Sequence, residues 1–279
     1  FEGKTCLVTE FALWGSLDTV IGEREDRGDP PIHDTVLLTI AMQVCSGMSH
    51  LRQLGLVHRD LATRNVLVYK FHPTIKRHVR VKITDYGLTA NSSYGTGYYY
   101  QGINEPFGGD GPVRWMPPEA IMGKKIGEKG DVWAFGVLMW EMWSPGIVPY
   151  WQQSGNSDVK QYVCIDKKIL EQPENCPNVV YAMMKSCWTY KARDRPNIST
   201  LAQDLQDTLL TISSSTDTVQ PVVADEDSCV ICMEETAKWT TVPCGHKAFC
   251  KTCAEAYVKG KNCPICREQV SSVMEVFGA

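Results

Sequence analysis

The sequence predicts an α+β fold: a large, mainly helical unit with a few short strands, then a small unit held together by metal. Three observations predict it. Apolar residues recur at helical spacing over residues 34–54, and short apolar runs at 66–68 and 79–84 read as the two strands of a hairpin. The third is a spacing near the C-terminus: Cys229-x2-Cys232, Cys244-x-His246, Cys250-x2-Cys253 and Cys263-x2-Cys266. Zinc takes four soft or borderline ligands in a tetrahedron, and each Cys-x2-Cys pair offers two thiolates from one tight turn. Eight ligands make two closed Zn²⁺ sites, structural because no position stays open for water. A stretch this short buries too little apolar surface to fold alone, so metal binding supplies the missing free energy. The alternative is a disulfide framework, which needs an oxidising compartment. The visible start shows no secretory signal, so reduced thiols and a cytoplasmic setting are expected.

The composition is that of a globular domain, with 43% apolar and 22% charged residues. A net charge of −4 gives no reason to expect nucleic acid or an anionic membrane as a partner. No run of eighteen apolar residues predicts a membrane span. Five of the twelve cysteines (Cys6, Cys45, Cys164, Cys176 and Cys187) fall outside the metal spacing and read as buried free thiols.

The elements follow in order. Residues 5–9 read as a strand. A long helix then places Leu37, Leu38, Ala41, Val44, Cys45, Met48, Leu51 and Leu54 on one face, with Asp34 or Thr35 as its cap and Gly55 as its stop. Between that helix and the strand at 66–68 lies His58-Arg59-Asp60-Leu61-Ala62-Thr63-Arg64-Asn65. The strand at 79–84 leads into Asp85-Tyr86-Gly87. Further on come Pro117-Pro118-Glu119, the run Asp131-Val132-Trp133-Ala134-Phe135-Gly136, and Arg193-Asp194-Arg195-Pro196.

Taken in this order, residues 1–210 resemble the hinge and C-terminal lobe of a protein kinase. The resemblance implies Asp60 as the base for a substrate hydroxyl, and Asn65 and Asp85 as oxygen ligands of Mg²⁺. Ala62 and Arg64 give the Leu-Ala-x-Arg-Asn form typical of tyrosine kinases, as does Val113-Arg114-Trp115-Met116. Near the start, Thr9 resembles the gatekeeper of the ATP pocket. Glu10 and Ala12 would offer backbone groups to the adenine edge, and Leu67 would form the apolar floor. Gly15-Ser16-Leu17 fits the same pattern.

The pattern has departures. No glycine-rich loop, strand Lys or partner helix Glu precedes the hinge, and the first residue is not Met. A fragment is expected, one without efficient kinase activity of its own. Tyr94, Tyr98, Tyr99 and Tyr100 stand where activation-loop tyrosines sit, among glycines that imply mobility. Lys70, Lys76, Arg77, Arg80 and Lys82 crowd one hairpin, as a docking site or as a solvated turn.

Residues 211–227 are rich in Ser, Thr and Asp without helical periodicity, and read as a flexible acidic tether. Residues 228–268 resemble a C3HC4 RING finger. That family's cross-brace would put Cys229, Cys232, Cys250 and Cys253 on one zinc, and Cys244, His246, Cys263 and Cys266 on the other. Its usual activity is ubiquitin-protein ligation, which positions a ubiquitin-charged conjugating enzyme and contributes no nucleophile. Ile231, Pro264 and Ile265 resemble its docking groove, Tyr257 stands where relatives carry Trp, and Arg267 resembles its linchpin. The tail, 269–279, carries Val270, Val273, Met274, Val276 and Phe277. It resembles the C-terminal strand of dimeric RINGs of the inhibitor-of-apoptosis kind, in which an aromatic like Phe277 reaches ubiquitin on the other subunit. Its alternative is a strand covering the RING's own face.

The expectation is a tyrosine-kinase lobe joined to a ubiquitin ligase, with protein substrates and a RING-mediated homodimer. One rival keeps only the RING active, on a pseudokinase-like scaffold. Another makes the RING a structural dimeriser.

Overall fold

A computed structural model of the chain describes residues 9–85, 90–91, 112–124, 126–216, 229, 236–256, 262–263 and 268–276. The first unit is mainly helical, with α1 (Leu17–Asp26), α2 (Asp34–Gln53), α3 (Pro118–Ile121), α4 (Glu128–Trp143), α5 (Asn156–Lys160), α6 (Asn178–Cys187) and α7 (Ile198–Thr216). Its strands form two antiparallel pairs: β1 (Leu56–Val57) with β4 (Ala90–Asn91), and β2 (Val66–Lys70) with β3 (Arg80–Ile83). The strand predicted at 5–9 lies almost wholly outside the described residues.

Helix α4 is the centre of the core. It is apolar all round, as a helix buried on every side must be, and α2 and α6 pack against it. The α4–α6 approach is close because Gly136 lacks a side chain. A Cβ there would stand 2.7 Å from Trp188 Nε1 and 2.8 Å from Cys187 Cβ. The free cysteines Cys45, Cys164, Cys176 and Cys187 are buried, and burial pushes the Cys45 thiol up to about 11.

Helix α2 buries the predicted face from Leu37 to Leu51, but its ends differ from expectation. His33 is the cap, its Nδ1 accepting from Thr35 N at 3.3 Å. Asp34 is diverted, because its Oδ1 accepts the Trp143 indole N–H at 2.9 Å and so ties the start of α2 to the end of α4. Leu54 lies beyond the helix and is exposed. Gly55 stops the helix as predicted, with φ +68°.

The tether begins later than expected. Helix α7 continues through 211–216 because its buried stripe does. Leu205, Thr208, Leu209, Ile212 and Ser213 recur at three- and four-residue spacing, and Ser213 Oγ accepts from Lys76 Nζ at 2.7 Å. The basic hairpin finds most of its partners elsewhere in the lobe: Arg77 Nε donates to His78 within it, while Arg80 and Lys82 donate to Glu10.

The C-terminal unit has a three-stranded antiparallel sheet of order β6-β5-β7 and a short helix. The elements are β5 (Trp239–Val242), β6 (Lys247–Phe249), α8 (Lys251–Ala256) and β7 (Ser272–Glu275). Its core holds Cys229, Ala248, Phe249, Cys250 and Ala254, with Trp239 and Val273 packed against it. The tail is therefore a strand of its own sheet. Met274 stands opposite Thr240 in β5 and Val273 opposite Thr241. No helix among the described residues is long and apolar enough to cross a membrane.

Candidate functional site

The loop between β1 and β2 is fixed by acids on α4. Asp131 Oδ2 accepts His58 N at 2.7 Å, and Oδ1 accepts Arg59 N at 2.8 Å, with Arg59 held at φ +73°. Burial pushes the Asp131 carboxyl up to about 6, against the pull of those two N–H groups. One helical stretch further, Glu141 accepts from Thr63 N at 3.1 Å and Thr63 Oγ1 at 2.9 Å. Burial raises its pKa too. His58 is fully buried, with Nε2 bonded to Thr84 O at 3.0 Å and Nδ1 accepting from Asp60 N at 3.3 Å. Those partners fix the tautomer with the proton on Nε2, and burial lowers its pKa, favouring the neutral ring.

This frame presents Asp60. Its Oδ1 accepts from Arg64 NH2 at 2.6 Å and its Oδ2 from Asn65 Nδ2 at 2.8 Å. Asn65 Nδ2 also donates to Asp60 O at 2.7 Å, which leaves the hard Oδ1 for a cation. Arg64 stacks on Trp115, its Cζ 4.3 Å from the ring centroid. Asp85, exposed, sits at the end of the β3 segment with φ +62° in the left-handed region. The backbone link from Thr84 N to Asn65 O, 2.9 Å, holds the two stretches side by side. The donor set suits Mg²⁺, which takes carboxylate and amide oxygens. A cleft of about 250 Å³ opens beside this loop, lined by Asp18, Thr63, Arg64, Trp115, Glu141 and the turn at 146–149.

The residues read from the sequence as the hinge lie along β2. Trp14 N donates to Val68 O and Val68 N to Gly15 O, and Ser16 bridges Leu67. Ala12 is buried, Leu67 half-buried, and Thr9 and Glu10 exposed. The Glu10 carboxylate accepts from Lys82 Nζ at 2.5 Å and Arg80 NH2 at 3.2 Å. The Lys82 hydrogen bond is the chief cause holding its carboxyl below the usual range.

In the C-terminal unit, two groups of metal-ligand atoms gather. The sulfurs of Cys229, Cys250 and Cys253 lie within 4.8 Å of one another, as do the ligand atoms of Cys244, His246 and Cys263. His246 Nδ1 is buried with no hydrogen-bond partner among the described residues, while the Thr241 hydroxyl lies 2.8 Å from Cys244 Sγ. Thiolates with an orphaned imidazole nitrogen fit zinc. Cys232, Cys266, Ile231, Tyr257, Pro264, Ile265, Arg267 and Phe277 lie outside the described residues, as do Tyr94, Tyr98, Tyr99 and Tyr100.

Sequence reasoning read Asp131 only as part of a helix pattern and gave Glu141 no role. The signal was available: a carboxylate within an otherwise apolar helix must find buried donors.

Comparison with known proteins agrees with this geometry. Residues 1–205 match the family model for protein tyrosine and serine/threonine kinase, and residues 225–273 match that for the zinc finger of C3HC4 type (RING finger). The chain is similar to an Ack-related non-receptor tyrosine kinase of Caenorhabditis elegans, 39% identical over 196 residues, or 70% of this chain and 18% of that protein. It is similar to the high affinity nerve growth factor receptor of Rattus norvegicus, 38% identical over 215 residues, or 73% of this chain and 25% of the receptor. The ephrin type-A receptor 1 of Homo sapiens is 36% identical over 203 residues, or 73% of this chain and 19% of that receptor. The chain thus spans about a quarter or less of the length of these curated relatives. With both matches falling on the segments whose geometry is described above, the chain belongs to the protein tyrosine and serine/threonine kinase family and carries a C3HC4 RING finger after its kinase domain.

Proposed function

We propose that this chain is part of a protein that transfers phosphate from ATP to tyrosine and ubiquitin to protein substrates. The observation carrying the kinase assignment is the double anchoring of Asp60 by Arg64 and Asn65. Both carboxylate oxygens are fixed, so Asp60 meets an incoming phenol in one orientation and accepts its proton as the oxygen attacks the terminal phosphoryl group in line. Asn65 and Asp85 would hold Mg²⁺, which supplies neutralisation of the charge developing on the phosphoryl oxygens. Arg64, placed by Trp115, borders the cleft in which the substrate peptide lies. In a form supplied with an ATP-clamping upper lobe, Asp60→Asn is expected to lower tyrosine phosphorylation about a thousandfold or more. The effect pools proton transfer, typically ~10²–10⁴-fold, with lost positioning. Phosphoamino-acid analysis that finds only serine and threonine products would overturn the tyrosine assignment.

The ligase half rests on the paired ligand clusters and on Ile231, Ile265 and Arg267 in the sequence. Ile231→Ala and Arg267→Ala are expected to slow ubiquitin chain building with the zinc fold intact. Unchanged rates in both variants would remove the docking assignment. Exposed Met274 and Val276, 54% and 44% accessible, support a homodimer through the outer edge of β7.

A further inference from the structure

A small pocket on the helical lobe has no part in the chemistry above. Trp140, Tyr150, Trp151 and Tyr162 line it, with Leu170 beneath and Glu171 at its rim, around a cavity of about 40 Å³. The aromatic walls come from separate elements. Trp140 belongs to α4, and its indole N–H donates to Glu171 O at 2.8 Å, which orients the ring. Tyr150 is buried at φ +55°, its carbonyl accepting from Arg114 at 2.7 Å. Tyr162 lies in the π-helical turn Gln161–Ile165 that follows α5. Its ring meets that of Tyr150 at 5.8 Å between centroids and 69°. Trp151 stands 64% exposed at the mouth.

The lining points to a cationic ligand. Four aromatic residues and one acid, Glu171, are among the lining residues, together with Gln152 and Gln153 and with no lysine or arginine. One face of the Tyr162 ring is already met by the lobe's own Lys168, its Nζ 5.4 Å from the centroid.

We propose that this pocket is an aromatic cage for a methylated ammonium group, borne on a methylated lysine side chain of a protein. A bare ammonium keeps its hydration and a guanidinium needs paired acceptors, and the four aromatic rings replace neither; the acceptors in the lining are those of Gln152, Gln153 and Glu171. Methylation removes those donors and leaves the charge. The protein source follows from continuity. Residues 146–149 line the cleft beside the catalytic loop, and residues 150–153 line the cage. A peptide crossing the cleft runs onto the cage along one turn. The protein source rests on the substrate reading given above; the cage itself does not.

The test uses the full 279-residue chain with ¹⁵N-labelled tryptophan. N-acetyl-trimethyl-lysine amide is expected to shift the indole N–H resonances of Trp140 and Trp151 saturably. Its neutral carbon isostere, with a tert-butyl head, is expected to bind about tenfold more weakly. Trp151→Ala should abolish the shift, and Glu171→Gln should weaken binding about threefold; both side chains are exposed, so neither change threatens the fold. Equal binding of the isostere would make the pocket a plain apolar hole and overturn the cage. Absence of a saturable shift would overturn it too. Phosphatidylcholine vesicles that bind the chain while trimethyl-lysine does not would overturn the protein source. Failure of the kinase reading is distinguishable, because it appears in the Asp60→Asn assay and leaves these titrations untouched.

Discussion

At the residue scale, Asp131 shows how one buried carboxylate organises the loop between β1 and β2. It faces two backbone N–H groups, one of them on a residue in the left-handed region. Removing the carboxylate orphans both donors. Asp131→Ala is expected to destabilise the lobe by about 2–6 kcal/mol, at ~1–3 per N–H, measured by urea unfolding. A loss under about 1 kcal/mol would mean that water replaces the acid. The same carboxyl gives a pH signature. Its folded pKa is raised from 3.8 to about 6, so the native state retains a proton across that window while the unfolded chain has lost it. The stability this group contributes is fully present below 3.8 and is lost as pH rises through about 6. An NMR titration of the Asp131 carboxyl carbon should show its midpoint near 6, and a midpoint at or below 3.8 would contradict the burial effect.

At the scale of elements, two contacts tie together segments far apart in the chain. Arg195, with a fully buried side chain, meets Glu119 bidentately at 2.7 and 2.8 Å, and also donates to Thr189 O and Lys129 O. It therefore pins the start of α3 to the start of α4 and to the loop after α6. Arg195→Met strands Glu119 and is expected to cost about 3–5 kcal/mol. Pairing it with Glu119→Leu should recover part of that loss, which a double-mutant cycle reads directly. The second contact is Lys76 Nζ to Ser213 Oγ, joining the β2–β3 hairpin to the last turns of α7. Ending the kinase segment at residue 210 removes Ile212 and Ser213 from their packing. Its melting temperature should fall below that of a segment ending at 216; equal values would mean the extra turns are ornamental to stability.

At the scale of the molecule, the two units draw stability from different sources. The helical lobe has a large apolar core, whereas the C-terminal unit has the few residues around Phe249 and two gathered sets of ligands. Chelation is expected to collapse the NMR signals of residues 236–276 while the helical far-ultraviolet signal persists. Reduced protein should carry about two zinc ions, four ligands to each. Collapse of both units together, or one zinc per chain, would contradict separate stabilisation by paired sites. The tail belongs to this unit as well. Because β7 pairs with β5, deleting residues from 274 onward should unfold the sheet itself. Met274→Thr, which leaves the backbone ladder in place, is the cleaner probe of a homodimer through that edge.

The meeting of Asp60 with Arg64 and Asn65 and the two gatherings of Cys and His were legible because each is largely local in the chain. Asp60, Arg64 and Asn65 span one short turn, and Cys250 with Cys253 and Cys244 with His246 are near neighbours in sequence, so residue type and spacing carry much of the geometry. Helix α2 was legible for the same reason: its periodic face needs no knowledge of what it packs on. Its cap was not, because Asp34 had a rival partner in Trp143, far along the chain. The acids that hold the β1–β2 loop lie 73 and 78 residues from the groups they bind, and the last turns of α7 meet a lysine 137 residues away. The tail could pair within its own sheet or across a two-fold axis, since an extended segment with alternating apolar residues satisfies its ladder on any free edge. Spacing along the chain dictates which groups can react or ligate; which buried donor meets which acceptor, and which edge a strand completes, is settled only when folding excludes water and leaves one partner within reach.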